Sequence, residues 1–371
     1  MKLSAGKRLR TILRAAGAAT LLATAPFSLK AHELPVVATF SILGDMVRQI
    51  GGDHVSVTSL VGPDGDNHVF QPTPADALAI AKAKVLVVNG LEFEGWMERL
   101  LEAADFKGVL VTATDGVAAL DFKEGDDHHG DSATHREHED THDHGKKAHK
   151  EKHDHDHDGH KKAHKEEHDH DHDGHKKAHK EEHDDHKGHA HHGHDHGEFD
   201  PHAWQDVANA KIYSRNIAAG LAKADPKNAA HYQEHLSSYI AKLSALDAEI
   251  KADMAKLPNN SRTVVTSHDA FQYFGRTYGL TFLSPQGIST ESEASAADVA
   301  NLIRQIRKEK IKAVFIENLS DSRLIQRIAE ETGAKVGGTL YPGALSTASG
   351  PAPTYLEMMR ENARVIRRAL E

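Results

Sequence analysis

Histidine is the residue type whose number and spacing point most directly to chemistry. The chain has 31 histidines, and 24 of them lie between residues 126 and 198. This stretch contains no Val, Ile, Leu, Met or aromatic residue, so it cannot form an apolar core and is predicted to be a disordered insertion. A fifteen-residue unit, HDHDHDGHKKAHKEE, occupies 153–167 and is repeated unchanged at 168–182. Because neutral imidazole is a common metal ligand, the tract predicts shallow, degenerate metal sites; a solvated linker is the alternative interpretation.

Three histidines outside the tract are candidates for a tighter metal site: His68, His202 and His268. Each follows a predicted strand or a loop that starts a helix, where open α/β sheets bind ligands at the carboxyl ends of strands. If the three imidazoles converge, they suit Zn²⁺ and leave a fourth coordination position open. Each could instead be an isolated core or capping histidine.

A second set of histidines is interpreted differently. His54 precedes a predicted strand, and His231 and His235 have the i, i+4 spacing of one helix face. This pair could chelate a metal, but it flanks the polar Gln233 and Glu234 and has no third donor near it in the sequence. We therefore interpret these residues as surface histidines.

The elements around these residues predict an α/β fold with two similar lobes. Short β-branched runs alternate with amphipathic helical stretches, which favours mostly parallel sheets flanked by helices. The predicted strands are Val36–Phe40, Val55–Val61, Val85–Asn89, Val109–Ala113, Thr263–Thr266, Leu280–Leu283, Ala313–Glu317 and Lys335–Leu340. The predicted helices, besides the long one described next, are Ile42–Ile50, Leu91–Ala104, Phe271–Tyr278, Ala296–Glu309, Ser322–Thr332 and Thr354–Leu370.

One long rigid helix is predicted to join the lobes. Apolar residues recur at steps of three and four over 226–257, after Asp225 as a cap and Pro226 at the first helical position. The predicted divisions are a signal peptide at 1–31, an N-terminal lobe at 32–224 with the insertion, a linking helix at 225–257, and a C-terminal lobe at 258–371.

Composition and the N-terminus limit the function further. The 371-residue chain has a net charge of −10 and no cysteine, which argues against a nucleic-acid partner and excludes disulfides and thiolate metal sites. Basic residues between Lys2 and Arg14 precede the apolar run 15–27, and Ala31 offers a cleavage position. This pattern predicts a secretory signal peptide and a periplasmic protein; a membrane anchor is the alternative, but the run is shorter than the ~20 apolar residues that span a bilayer.

Several motifs together resemble one family, the metal-binding solute-binding proteins of bacterial ABC importers, in the zinc-uptake (ZnuA-type) branch. The resemblance covers essentially the whole mature chain. Besides the His-rich insertion and the long helix, it rests on GPDGDNHVFQPTPADALAIAKAKVLVVNGLEFEGWM (62–97), FDPHAW (199–204), VVTSHDAFQYF (264–274) and GPAPTYLEMM (350–359). It implies metal ligation by His68, His202 and His268 in a cleft between the lobes. The implied partner is an ABC importer permease in the inner membrane, with a periplasmic zinc chaperone as a further candidate, and the protein is expected to be a monomer.

The chain departs from this family at one position. A fourth, carboxylate ligand often lies in a segment resembling LYSDALS, whereas residues 340–346 read LYPGALS and place Gly343 at the position of the Asp. Water or a tract histidine is the favoured replacement, with Asp66 and Glu317 as alternatives, although a salt bridge from Glu317 to Arg323 or Lys335 would explain that residue equally well. Loss of a carboxylate favours Zn²⁺ over Mn²⁺. Asp200 and Asp269 are the nearest candidates to orient the imidazoles.

The sequence therefore predicts a periplasmic zinc-binding protein that is not an enzyme, captures Zn²⁺ in the cleft and delivers it to a permease. In this prediction the tract is an auxiliary low-affinity collector or a sensor of zinc. Three alternatives remain. A zinc hydrolase or lyase would also use three histidines and water, but no HExxH pairing or glycine-rich nucleophile turn is present. The others are an Mn²⁺-binding homologue and an adhesin or metal buffer without transport.

Overall fold

The computed structural model describes residues 33–121 and 199–371. The signal peptide predicted for 1–31 and the disorder and metal binding predicted for 126–198 lie outside the described residues.

The N-terminal sheet confirms the predicted alternation of strands and helices. Its four strands are parallel, in the order β2-β1-β3-β4. The elements are β1 (Leu34–Phe40), α1 (Ser41–Gly51), β2 (Val55–Val61), α2 (Pro74–Lys82), β3 (Val85–Val88), α3 (Met97–Ala104) and β4 (Val109–Thr112). Helix α3 is shorter than the predicted 91–104, because residues 91–96 form turns in which Leu91 and Glu92 have positive φ.

Three elements here were not predicted. Strands β5 (Leu120–Asp121) and β6 (Phe199–Asp200) pair antiparallel, with Leu120 opposite Asp200. This pairing places Asp121 opposite Phe199, the residues on either side of 122–198. Helix α4 (Val207–Ala224) follows, and the Asp206 side chain caps it by accepting from the Ala208 N–H.

The predicted linking helix is present but shorter than 225–257. Residues Pro226–Asn228 form a 3-10 turn, and α5 runs over Ala229–Met254. The predicted cap, Asp225, instead accepts hydrogen bonds from the Asn228 amide and the Tyr232 hydroxyl, so the regular helix begins three residues late. Its 26 residues reach roughly 39 Å.

The C-terminal sheet repeats the parallel arrangement, in the order β10-β9-β7-β8. Its elements are β7 (Thr263–Val265), α6 (Gln272–Tyr278), β8 (Thr281–Leu283), α7 (Ala296–Glu309), β9 (Ala313–Glu317), α8 (Ser322–Thr332), β10 (Lys335–Leu340) and α9 (Tyr355–Leu370). Four of these elements, α7, β9, α8 and β10, have the predicted bounds.

Helix α5 is in contact with both halves of the fold, since it packs on α1 and α4 and also on α6 and α9. One apolar cluster continues through it from Phe40 and Tyr213 to Phe274, Tyr355 and Met358. The two lobes therefore share a core. No helix within 33–121 or 199–371 combines the length and apolar character needed to cross a bilayer.

Candidate metal centre

The structure brings His68, His202 and His268 together. One ring nitrogen of each lies within 4.8 Å of those of the other two, and His68 Nε2 is 3.3 Å from His202 Nε2. The ring centroids are 5.4 to 5.8 Å apart. In the described part of the chain, the donors grouped at this point are these three histidines, with no carboxylate among them.

Each histidine reaches this point from a different loop at the end of a strand. His68 lies between β2 and α2, where the Asp66 carboxylate accepts its backbone N–H at 2.9 Å. His202 follows β6, and Asp200 makes the same backbone contact, also at 2.9 Å. His268 follows β7. An Asp two residues before the histidine thus fixes two of the loops through an Asx turn.

Asp200 also orients the His202 ring, as predicted. Its Oδ1 lies 2.8 Å from His202 Nδ1, so Nδ1 carries the proton and Nε2 faces the other histidines with its lone pair. Burial lowers the pKa of His202 well below 6.5, and nearby His268 lowers it further. This imidazole is therefore neutral, the form that binds a metal.

Glu317 orients His268, and the prediction that Asp269 does so is wrong. Glu317 Oε2 lies 2.6 Å from His268 Nδ1, while its Oε1 accepts the backbone N–H groups of Ser267 and His268. Asp269 instead accepts from Gln272. Burial favours neutral His268, but the negative charge of Glu317 and the hydrogen bond that it accepts from the ring outweigh burial and raise the pKa of His268.

The same contacts correct two other expectations about Glu317. Its side chain is buried and committed to His268 and its loop, so it is neither a partner of Arg323 or Lys335 nor positioned as the fourth donor. Arg323 pairs with Asp321. The role of Glu317 could have been inferred from its position at the carboxyl end of β9. That strand pairs with β7, and His268 follows β7.

His268 Nε2 is buried and has no hydrogen-bond partner among the described residues. Such nitrogens are rare, because a buried polar atom without a partner loses the hydrogen bonds it would make in water. Since Nδ1 donates to Glu317, the unpartnered Nε2 carries a lone pair when the ring is neutral, that is, above the raised pKa of His268. It is thus free to bind a Lewis-acidic ligand.

Aromatic and small residues complete the wall beside His202. The Trp204 ring centroid lies 5.2 Å from that of His202, and its Nε1 donates to the Pro342 carbonyl at 2.7 Å. A Cβ added at Gly343 would lie 3.5 Å from Leu319 Cδ1 and 3.8 Å from Trp204 Cζ2. These are ordinary contacts, so a Cβ would fit where the chain has glycine.

Asp66, another predicted fourth donor, bridges the lobes. Its Oδ2 accepts the Thr290 hydroxyl at 2.5 Å while Oδ1 holds the His68 backbone. It is absent from the group of converging donors.

His231 and His235, interpreted as surface histidines with no third donor near them in the sequence, have a third histidine beside them in the structure. The His54 ring lies 4.2 Å from that of His231, which in turn lies 4.0 Å from that of His235. All three are half-buried. Sequence distance hid this contact, because His54 comes from the turn before β2.

Comparisons with known proteins agree with this fold and chemistry. Residues 36–369 match the family model described as zinc-uptake complex component A, periplasmic. The chain is 28% identical over 330 residues to the iron-binding protein YfeA of Yersinia pestis, covering 89% of this chain and 84% of that protein. It is 27% identical over 371 residues to the iron ABC transporter substrate-binding lipoprotein MtsA of Streptococcus pyogenes serotype M1, covering 96% of each.

Solved structures show the same architecture. The Mn-bound periplasmic metal-binding protein from Candidatus Liberibacter asiaticus matches with a TM-score of 0.66 and 27% identity, over 91% of this chain and 99% of that one. The periplasmic zinc-binding protein TroA from Treponema pallidum matches with a TM-score of 0.69 over the same shares. At 23% identity, the latter supports the fold alone.

Proposed function

The chain belongs to the family of periplasmic zinc-uptake complex components, the metal-binding subunits of ABC transporters, and on this premise we propose that its cargo is Zn²⁺. His68, His202 and His268 hold the ion through their Nε2 atoms between the lobes. The protein then delivers it to a permease in the inner membrane.

The residue types at the site are the reason for proposing zinc over other metals. Three imidazole nitrogens suit Zn²⁺, whereas Mn²⁺ prefers carboxylate, carbonyl and water oxygens. The unpartnered, buried Nε2 of His268 is the single observation that most favours a bound cation. The relatives are named for iron, manganese or zinc, so their names do not decide the metal.

Water or a tract histidine completes the coordination in this proposal. Gly343 has no donor, and Glu317 is engaged with His268. Either ligand is exchangeable, which suits a protein that must release its cargo.

The His-rich stretch 126–198 acts as a low-affinity collector or a sensor of zinc beside the cleft. Its support is compositional: many imidazoles in a segment without apolar residues. A periplasmic zinc chaperone is a second proposed partner.

The family consists of binding subunits rather than enzymes, which removes the hydrolase alternative. Membership in a transporter family likewise favours delivery to a permease over an adhesin or a buffer. Competition between Mn²⁺ and Zn²⁺ for the three-histidine site tests the Mn²⁺ alternative.

The test is a zinc titration of a chain in which a short flexible linker replaces 122–198. Asp121 and Phe199 are paired neighbours, so the linker can be short. We expect one tight site, lost on replacing His68, His202 and His268 with Ala, and retained in His54→Ala as a histidine control. Zinc should also displace Mn²⁺ and Fe²⁺. Undiminished tight binding by the triple variant would refute the site, and preference for Mn²⁺ would refute the cargo.

A further inference from the structure

A second group of three histidines lies away from the cleft. His54 ends the turn Gly52–His54 between α1 and β2, and His231 and His235 lie in the first two turns of α5. The ring of His231 is in the middle, 4.2 Å from His54 and 4.0 Å from His235. The group therefore combines two elements that are far apart in the sequence.

Two features show that this contact is closely fitted. His231 Nε2 is buried and has no hydrogen-bond partner within the described ranges. Gly52 has a φ of +54°, and a Cβ there would lie 3.1 Å from His231 Nε2 and 3.2 Å from His235 Nδ1. The nearest atom to that Cβ would be His235 Cε1, at 2.8 Å, which is too close for an unshifted side chain. Glycine thus lets the backbone approach both rings closely, in a conformation that other residues rarely adopt.

The residue types suit a metal ion. Histidines four apart share one face of a helix, the spacing with which helices commonly bind zinc, and His54 supplies a third nitrogen. Asp53 and Glu234 lie near enough to His231 to favour positive charge there. Burial, then His235 and His54, lowers the pKa of His231, which keeps its lone pair available at neutral pH.

We propose that His54, His231 and His235 form a second divalent-metal site, for Zn²⁺ or another cation that prefers imidazole. The site is at the opposite end of the N-terminal sheet from the cleft. His54 precedes β2 and His68 follows it, and the seven residues of this strand separate its ends by roughly 20 Å.

Binding requires a local rearrangement, because the nitrogens of these three rings, unlike those of the cleft histidines, do not all lie within 4.8 Å of one another. The His54 ring meets the His231 ring edge-on, at 73°, and the His235 ring is tilted by 42° to it. Both centroid distances are shorter than the 5.4 to 5.8 Å between rings in the cleft. His54 and His235, half-buried like His231, turn toward its buried Nε2 to share one ion. No carboxylate comparable to Asp200 or Glu317 hydrogen-bonds these rings among the described residues, so this site is weaker than the cleft and fills after it.

The test is anomalous diffraction at the zinc edge from crystals of the full chain soaked in excess zinc chloride. This measurement separates an ordered site from ions bound to the tract. We expect a peak within coordination distance of His231 and His235 nitrogens, with His54 as third ligand. No peak there while the cleft is occupied, or a peak that needs a ligand from a neighbouring molecule, would overturn the proposal.

Variants provide the control. His231→Gln with His235→Gln should abolish this peak and leave the cleft peak, which also reports correct folding. Gln233→Ala, exposed on the same helical turns, should retain both peaks. Persistence of the peak in the double His variant would assign the ion to other ligands and contradict the proposal.

Discussion

Glu317 determines which nitrogen of His268 faces the cleft. Its carboxylate accepts from Nδ1 at 2.6 Å and also holds two backbone N–H groups of the same loop. It thus fixes both the tautomer and the position of the ring. The contact raises the pKa of His268, so a proton competes with metal at Nε2 up to a higher pH than for an ordinary histidine.

Glu317→Gln should therefore weaken zinc binding and change its pH dependence. The amide keeps the shape but not the charge, so we expect affinity at pH 8 to fall ~10–100-fold. Affinity falls as pH drops through the pKa of His268; losing the carboxylate lowers that pKa, so the midpoint of this fall should move to lower pH. Competition with a chelating dye from pH 5.5 to 8 measures both effects.

Asp269→Asn is the matched control, because Asp269 hydrogen-bonds Gln272 rather than His268. An equal loss of affinity in both variants would show that general negative charge, and not the Glu317 contact, supports the site.

Gly343→Asp should change metal preference. The added Cβ would make only ordinary contacts with Leu319 and Trp204, and the carboxylate would supply an oxygen donor, which the group of three described histidines lacks. Because Mn²⁺ prefers oxygen ligands, we expect Mn²⁺ affinity to rise relative to Zn²⁺. Competition between the two metals provides the measurement. Gly343→Asn has the same shape without the charge and should leave the ratio near wild type; an equal shift in both variants would contradict coordination by the carboxylate.

At the scale of elements, the β5–β6 pair explains how a long insertion coexists with an ordered site. Tyr273, on α6, accepts the Leu120 N–H and donates to the Asp200 carbonyl, both at 2.9 Å. One buried hydroxyl thus ties both strands to the C-terminal lobe. Because Asp200 also orients the His202 ring, the hydrogen bond from Tyr273 helps to position a candidate metal ligand.

Tyr273→Phe should destabilise the fold by about 1–3 kcal/mol, because two buried backbone groups lose their partner. Urea unfolding measures the change, and amide exchange at Leu120 should become faster. Tyr239→Phe is the matched control: the Tyr239 hydroxyl is buried without a partner in the described part of the chain, so its loss should be neutral or stabilising. The prediction fails if the two variants unfold at the same urea concentration.

The sequence predicted the regular elements well because their periodicity is local. Val55–Val61, Ala296–Glu309 and Ala313–Glu317 have the expected bounds. Helix α4 was missed although Val207, Ala210, Ile217 and Leu221 follow helical spacing, because the many small residues between them weaken the apolar pattern.

The site was predicted less completely, because the residues that hydrogen-bond the ligand rings are brought there by tertiary contacts. Asp200 could be proposed from its position two residues before His202. Glu317 lies 49 residues from His268 and is brought to it only by the pairing of β7 with β9. The contact of His54 with His231 depends in the same way on packing of α1 against α5.

At the scale of the whole molecule, the two lobes are joined by buried polar contacts as well as by α5. The Tyr355 hydroxyl donates to the Trp204 carbonyl, and the Tyr355 N–H donates to Asp45. Leu345 N–H donates to the Ser41 hydroxyl. Wide separation of the lobes would break these bonds and expose the shared apolar core. Metal uptake should therefore change loops at the cleft, not the angle between the lobes.

This rigidity can be tested by measuring a distance across the lobes with and without zinc. The chain has no cysteine, so Leu78→Cys in α2 and Val336→Cys in β10, both at exposed positions, provide unique sites for spin labels. We expect pulsed electron–electron double resonance to show that zinc changes the mean distance between the two labels by less than about 2 Å, as in preorganised binding proteins. The pair Leu78→Cys and Leu110→Cys lies within one lobe and gives the baseline. A larger shift between lobes than within one lobe would show hinge closure, and the shared core could not then be continuous in both states.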